Sequence, residues 1–229
     1  MILPAQSRQL ILDRIRAATA TRTADSKQKT PHTYIRRGSL EPNALIERMM
    51  ERLREYDAEV VECAPENLPN CIADRLQSSG RHIFAAPSKL PPGWLVGGVN
   101  WKIDTGLNHG EIEACDGVVT ASFCGVADSG TIVLHHSAAE GRRVLTLLPD
   151  WHLCILRASQ IVESLPEYFN RCAQPPSLAT YISGPSATAD IEMTRIKGVH
   201  GPRFLNVILV HDQPAPDSTT AANLNGALA

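Results

Sequence analysis

Residues 41–86 read EPNALIERMMERLREYDAEVVECAPENLPNCIADRLQSSGRHIFAA, and the order of patterns in this stretch decides the fold. Apolar residues recur at helical spacing in two segments, and each segment is followed by a short run rich in strand-forming residues. A proline opens the first helix, and Gly80 ends the second as a helix C-terminal glycine. Helices that alternate with short strands predict a parallel sheet covered on both faces. The predicted elements are helix 42–56, strand 58–63, helix 65–79 and strand 82–86.

The second half of the chain has a denser strand pattern, with turns of only a few residues that suit hairpins. Its one long helix is predicted from Ser159 to Cys172. The fold class is therefore α/β, with a mixed, largely parallel sheet flanked by helices. The further predicted strands are 117–123, 131–135, 144–148, 152–156, 178–183 and 204–210.

Composition along the chain predicts three regions. Residues 1–38 form an N-terminal arm, with an amphipathic helix at 7–18 followed by a linker rich in Thr, Lys and Arg. Residues 39–212 form the compact α/β domain. Residues 213–229 have few large apolar side chains to bury, and we expect them to be disordered.

Overall composition excludes several classes of protein. The chain has 229 residues, of which 43% are hydrophobic and 20% charged, as in ordinary globular proteins. The formal net charge of -2 disfavours a nucleic-acid binder. No window approaches the roughly 18 uninterrupted apolar residues of a membrane span, and the start lacks the apolar core of a secretory signal. We therefore predict a cytoplasmic protein.

The six cysteines are too far apart for a C-x-x-C pair, which removes the common spacings for zinc and iron–sulfur sites. We expect reduced thiols in or near the core and no metal bound by this chain. The sequence also lacks a P-loop, a G-x-G-x-x-G motif and a G-x-S-x-G motif, so the standard nucleotide kinase, dehydrogenase and serine hydrolase classes have no local support.

The segment 182–203 is the first candidate for a binding site. It predicts a strand that ends in Gly-Pro, a turn with hydroxyl side chains, a short helix that starts near Asp190, and a second Gly-Pro turn. Ser186, Thr188 and Asp190 are candidate ligand-binding residues, because loops that follow parallel strands hold ligands in α/β proteins. The alternative is that these side chains only cap the helix.

A basic cluster follows in the same segment. Lys197, with Arg195 and Arg203 nearby, is the candidate anchor for a carboxylate or phosphate, and a solvated helix end is the alternative. His200 lies in a turn and is the candidate residue for acid–base chemistry.

A glycine-bounded turn at 124–131 is the second candidate, because glycines let the backbone approach a ligand closely. Asp128 is the predicted acid–base partner of His200. The alternative interpretation of the same residues is an ordinary hairpin turn. His152 is a further candidate contact, with a half-buried strand histidine as the alternative. The candidate ligand-binding residues of the turn are Gly125, Ser129, Gly130 and Thr131.

Four motifs carry a resemblance to a known family. Ala127-Asp-Ser-Gly-Thr131, Leu147-Leu-Pro-Asp-Trp-His152, Gly184-Pro-Ser-Ala-Thr-Ala-Asp-Ile-Glu192 and Gly198-Val-His-Gly-Pro202 resemble the LUD-domain family over roughly residues 40–211. The family commonly has A-E-T-G-T in place of the first motif, and both changes keep the chemistry. The resemblance implies a fold similar to ribose-5-phosphate isomerase, glucosamine-6-phosphate deaminase and the CoA-transferases.

The resemblance also implies a role, with two iron–sulfur partner proteins, in the oxidation of L-lactate to pyruvate. The first functional hypothesis is therefore an accessory or ligand-binding subunit, with the iron–sulfur clusters on its partners. The alternative is a stand-alone enzyme or sensor that binds a small hydroxy acid, a sugar phosphate or a CoA ester. A homo-oligomer is compatible with both.

Overall fold

A computed structural model describes residues 4–20, 37–172, 174, 176–189, 195–198 and 201–212. The chain divides into two compact units, residues 1–35 and 36–229, which are described separately. In the first unit, helix α1 spans Pro4–Thr19 and matches the predicted N-terminal helix. None of the helices in the described ranges is long and apolar enough to pass through a lipid bilayer. The predicted three-region division stays a prediction, and the tail at 213–229 lies outside the described residues.

Within the second unit the described residues form four more α-helices and twelve strands. The helices are α2 (Pro42–Glu55), α3 (Leu68–Ser78), α4 (His109–Glu113) and α5 (Leu165–Arg171). The strands are β1 (Glu59–Cys63), β2 (Ile83–Pro87), β3 (Asn100–Asp104), β4 (Gly117–Ala121), β5 (Cys124–Val126), β6 (Thr131–Leu134), β7 (Trp151–Arg157), β8 (Ile161–Val162), β9 (Thr180–Ile182), β10 (Ala187–Ala189), β11 (Arg195–Lys197) and β12 (Phe204–Val210).

Six of the described strands form the main sheet, in the order β1-β12-β7-β4-β2-β3, and each pair is parallel. The predicted parallel sheet is confirmed. Strand β12 lies between β1 and β7, and every residue of β12 after Phe204 is buried. Continuous burial is typical of parallel strands that are covered on both faces.

A second sheet of four described strands has the order β8-β5-β6-β9. Strand β6 is antiparallel to both β5 and β9, whereas β5 and β8 are parallel. The predicted strand 117–123 is β4, which ends two residues earlier than predicted, at Ala121. The chain leaves the main sheet after Ala121 and enters the second sheet at Cys124.

The core has a layer on each face of the main sheet, as the alternating helices and strands predict. On one face α2 packs Met49 and Leu53 with Leu156 of β7 and with the second sheet. On the other face α3 packs Ile72 with Phe84, and Leu153 of β7 joins this layer. Neighbouring side chains of β7 thus face opposite layers, as the pleat requires.

Two predicted elements are wrong. The predicted strand 144–148 is a 3₁₀ helix, Arg143–Thr146, because only part of this apolar run is buried and a short apolar run does not distinguish strand from helix. The helix predicted from Ser159 begins only at Leu165. Ser159 instead lies in the 3₁₀ turn Ala158–Gln160, which leads into strand β8, and its hydroxyl donates to a carboxylate oxygen of Asp212 over 2.6 Å.

Strand β3 and helix α4 have no counterpart in the sequence prediction, and α4 is held by its first turn. Asn108 Oδ1 accepts the Glu111 N–H over 3.0 Å, and a Glu111 carboxylate oxygen accepts the Asn108 N–H over 2.8 Å. This reciprocal capping box starts a helix of only five residues, whose Ile112 is fully buried.

We expect Asn108→Ala to lower the free energy of unfolding by about 1 kcal/mol, because the first amides of α4 lose their acceptor. Urea unfolding followed by circular dichroism measures the change. Asn108→Asp is the matched control, since it keeps an acceptor oxygen and should stay within a few tenths of a kcal/mol of the parent. Equal losses in the two variants would show that the cap does not stabilise α4.

Candidate functional site

A half-open cavity lies where β7 and β12 begin. Its volume is about 230 Å³. His152 of β7 and Leu205 of β12, which are register partners, form part of its wall. The segment 183–186 and Arg143 also line it. The cavity is therefore at the amino-terminal edge of the main sheet, beside the segment that the sequence selects as its first candidate.

His152 is more deeply buried than Thr146, the other buried polar side chain among the described residues of this wall, with relative exposures of 1% and 4%. Its Nε2 lies 2.8 Å from Oγ1 of Thr120 on the adjacent strand β4. Burial lowers the pKa of His152 to about 4, because the charged imidazolium would lose its hydration. The ring is therefore neutral at physiological pH.

Two Gly-Pro turns, at 184–185 and 201–202, also line the cavity. The Ser186 N–H donates to the carbonyl oxygen of Pro202 over 2.8 Å, and the Gly198 N–H donates to the carbonyl oxygen of Ser186 over 2.9 Å. Gly184 has a φ of +86°, and a Cβ there would lie 2.6 Å from Cβ of Tyr56. This close approach requires glycine. The structure thus brings the predicted residues His152 and Ser186 to one cavity.

A row of three hydroxyls joins the second candidate segment to this cavity. Oγ of Ser129 lies 2.7 Å from Oγ1 of Thr131, which lies 2.7 Å from Oγ of Ser183 in the cavity wall. Asp128 is exposed, and its N–H donates to the carbonyl oxygen of Glu163 over 2.9 Å. The turn therefore reaches the cavity through Thr131 and Ser183.

The two glycines of that turn pack against the protein itself. Gly130 has a φ of +60°, and a Cβ there would lie 2.7 Å from Cβ of Arg52 on α2. At Gly125 a Cβ would meet Leu156 at 3.0 Å and Met49 at 3.2 Å. These contacts give both glycines a packing function, and a ligand role for either stays a prediction.

The segment around Thr188 differs from the predicted helix start. Thr188 lies in strand β10 and pairs with Ile196 of β11, and Lys197 pairs with Ala187. Thr188, Arg195 and Lys197 therefore lie in strands, and the predicted helix start at Asp190 lies outside the described residues. The β-branched residues at 188 and 196 favour this antiparallel pairing. Asp190 and His200 lie outside the described residues, so the acid–base pair of Asp128 and His200 stays a prediction.

Arg203, a member of the predicted basic cluster, forms a salt bridge with Asp150. Its Nε and Nη2 donate to the two carboxylate oxygens of Asp150 over 2.6 and 2.9 Å. The Arg203 guanidinium holds the pKa of Asp150 below its ordinary value. Arg143 is instead the cation in the cavity wall, and it has no counterpart among the sequence candidates.

The part of the chain that the structure describes has no group of three or more His, Cys, Asp or Glu side chains arranged to hold a metal ion. Cys63, Cys115, Cys124 and Cys154 are buried. Burial raises the pKa of Cys124 to about 11 and that of Cys154 to about 12. Their thiols are therefore protonated at neutral pH.

The fold and the motifs at this cavity define a LUD domain. The model of the LUD domain family matches residues 99–210. The chain is also 36% identical over 170 residues, or 72% of its length, to lactate utilization protein C of Deinococcus radiodurans, and the match covers 79% of that relative. This protein belongs to the LUD-domain family, and the predicted resemblance is confirmed.

Two further likenesses agree with this assignment. Lactate utilization protein C of Bacillus subtilis is 37% identical over 135 residues, which cover 56% of this chain and 54% of that relative. The chain thus spans about half the length of that relative. The crystal structure of a DUF162 family protein from D. radiodurans has a TM-score of 0.64 and 32% identity, and covers 75% of this chain and 99% of its own. The α/β fold class is confirmed.

Proposed function

We propose that this protein is a cytoplasmic accessory subunit of a lactate-utilization system that oxidises L-lactate to pyruvate. The likeness to lactate utilization protein C of D. radiodurans, over 72% of this chain, carries the proposal. The cavity at His152 supports a role in ligand binding, because it is a concave site lined by a few convergent polar groups.

We further propose that the electrons of this oxidation pass to iron–sulfur clusters on partner subunits. Cluster ligation requires several neighbouring thiolates. The cysteines of this chain are spread over separate elements, and burial raises the pKa of Cys63, like that of Cys154, to about 12. Two electrons leave each lactate that becomes pyruvate, so partners with redox groups complete the reaction.

Anaerobic affinity purification of the tagged chain from its host, grown on L-lactate, tests this proposal. We expect brown partner proteins to co-elute, and the eluate to reduce a dye when L-lactate is added. Stripping this subunit from the complex should abolish the dye reduction, and adding it back should restore it. The same tag on an unrelated protein is the control. A colourless, partner-free eluate without activity would contradict the proposal.

A further inference from the structure

We infer that His152 presents an unprotonated Nδ1 to the cavity and selects a small 2-hydroxycarboxylate by accepting a hydrogen bond from its hydroxyl. The inference deepens the proposed function, which supplies only the choice of lactate as the probe. It depends on three buried side chains that are linked by hydrogen bonds: His152 and Cys154 of β7, and Thr120 of β4.

The direction of a hydrogen-bond chain sets the tautomer of His152. The Thr120 hydroxyl donates to Sγ of Cys154 over 3.8 Å, and the Cys154 thiol is within 4.0 Å of the carbonyl oxygen of Ala121. A threonine hydroxyl has one proton. With that proton directed at Cys154, Oγ1 of Thr120 accepts from Nε2 of His152, 2.8 Å away. Each proton in the chain then has an acceptor, and Nδ1 of His152 carries none.

The opposite direction of the hydrogen bond between Thr120 and His152 leaves more polar groups without a partner. If Thr120 donated to His152 instead, the sulfur of Cys154 would lose its donor. The imidazole would then place an N–H in the cavity. Thr120 and Cys154 are both fully buried, so water cannot replace a lost partner. The structure therefore favours the Nε2–H tautomer, in which the nitrogen left for a ligand is an acceptor.

The rest of the cavity wall defines the other half of the ligand. Arg143 supplies a positive charge and Ser183 a hydroxyl, whereas the Thr146 hydroxyl donates to the carbonyl oxygen of Arg143 over 3.1 Å. Among the described residues that line the cavity there is no carboxylate. An anionic group is therefore favoured. The cavity volume of about 230 Å³ lies below the roughly 300–1,000 Å³ of pockets that hold drug-sized ligands. A small ligand therefore fits inside the cavity, whereas a CoA ester would extend beyond it.

The first test reads the tautomer directly. In protein labelled with ¹⁵N-histidine, NMR separates a protonated ring nitrogen from an unprotonated one, and His152→Gln assigns the signal. We expect the His152 signal to show a protonated Nε2 and an unprotonated Nδ1 at pH 7. A proton on Nδ1 would overturn the inference, whatever the variants below do.

The second test compares L-lactate with propionate, which has the same carboxylate but no hydroxyl. We expect L-lactate to bind roughly three- to tenfold more tightly in an NMR titration, as one neutral hydrogen bond predicts. Thr120→Val removes the acceptor for Nε2 and should bring this ratio close to one. Thr120→Ser keeps the hydroxyl and should keep the ratio. Equal binding of the two ligands by the parent chain, or binding of neither, would overturn the inference.

The outcomes separate this inference from the proposed function. If partners co-purify but L-lactate does not bind to the chain, only the ligand assignment fails. If L-lactate binds with the expected preference but no partners are recovered, the accessory-subunit proposal fails and the ligand assignment stands.

Discussion

Lowering the pH from 7 to 4 is expected to destabilise this protein by about 3 kcal/mol through His152 alone. Burial lowers the pKa of His152 to about 4 in the folded state, whereas the ordinary value of about 6.5 applies in the unfolded state. As the pH falls below 6.5, the unfolded chain takes up a proton that the folded chain refuses. Stability is therefore lost progressively between pH 6.5 and 4, at up to about 1.4 kcal/mol per pH unit.

Urea unfolding at a series of pH values, for the parent chain and for His152→Gln, measures this effect. We expect the free energy of unfolding of the variant to vary less with pH between 6.5 and 4.5. Carboxylates such as Asp150, whose pKa Arg203 lowers, titrate below this window and are common to both proteins. Parallel curves for the two proteins would contradict a buried, neutral His152.

Replacement of Gly130 by alanine is expected to lower the free energy of unfolding by about 2–5 kcal/mol. The left-handed backbone, with a φ of +60°, costs a non-glycine residue about 1–2 kcal/mol. The new Cβ would also lie 2.7 Å from Cβ of Arg52 and 2.9 Å from its backbone carbon, and such overpacking costs a further 1–3 kcal/mol. Helix α2 must move to make room.

Gly80 provides the matched control for this substitution. Its φ is +66°, close to that of Gly130, but a Cβ there would have nothing within 4 Å. Gly80→Ala therefore measures the backbone cost alone, about 1–2 kcal/mol. The difference between the two variants in urea unfolding gives the cost of the contact with Arg52. Equal losses would show that α2 adapts to the extra methyl group without strain.

The elements that the sequence predicts well are those whose hydrophobic patterns are long or are bounded by a proline or a glycine. The buried stripe of α2, with Ile46, Met49 and Leu53, follows the helical period, and the continuous apolar run of β12 is a typical parallel strand. The run 144–148 is short and only partly buried, so its propensity does not decide between strand and 3₁₀ helix. The helix start at Ser159 is wrong because residues 161–162 pair with β5 in the second sheet, and local spacing does not show that pairing.

The candidate site was predictable only where its residues fall in local motifs. His152 and Ser186 stand in the quoted motifs, and both line the cavity. Thr120 and Ser183 were missed, since their significance comes from partners 32 and 52 residues away that sheet register brings together. No local spacing carries that information. Gly130 likewise packs against a residue distant in the sequence, Arg52 of α2.

The place of β12 in the main sheet has a consequence for synthesis of the protein. Strand β1 is made early, but its neighbour in the sheet is β12, the last strand of the described chain. Until residues 204–210 leave the ribosome, β1 and β7 each keep an unpaired edge that attracts other chains. The nascent polypeptide therefore exposes both edges until β12 emerges, and a stop codon before residue 204 would leave a product prone to aggregate.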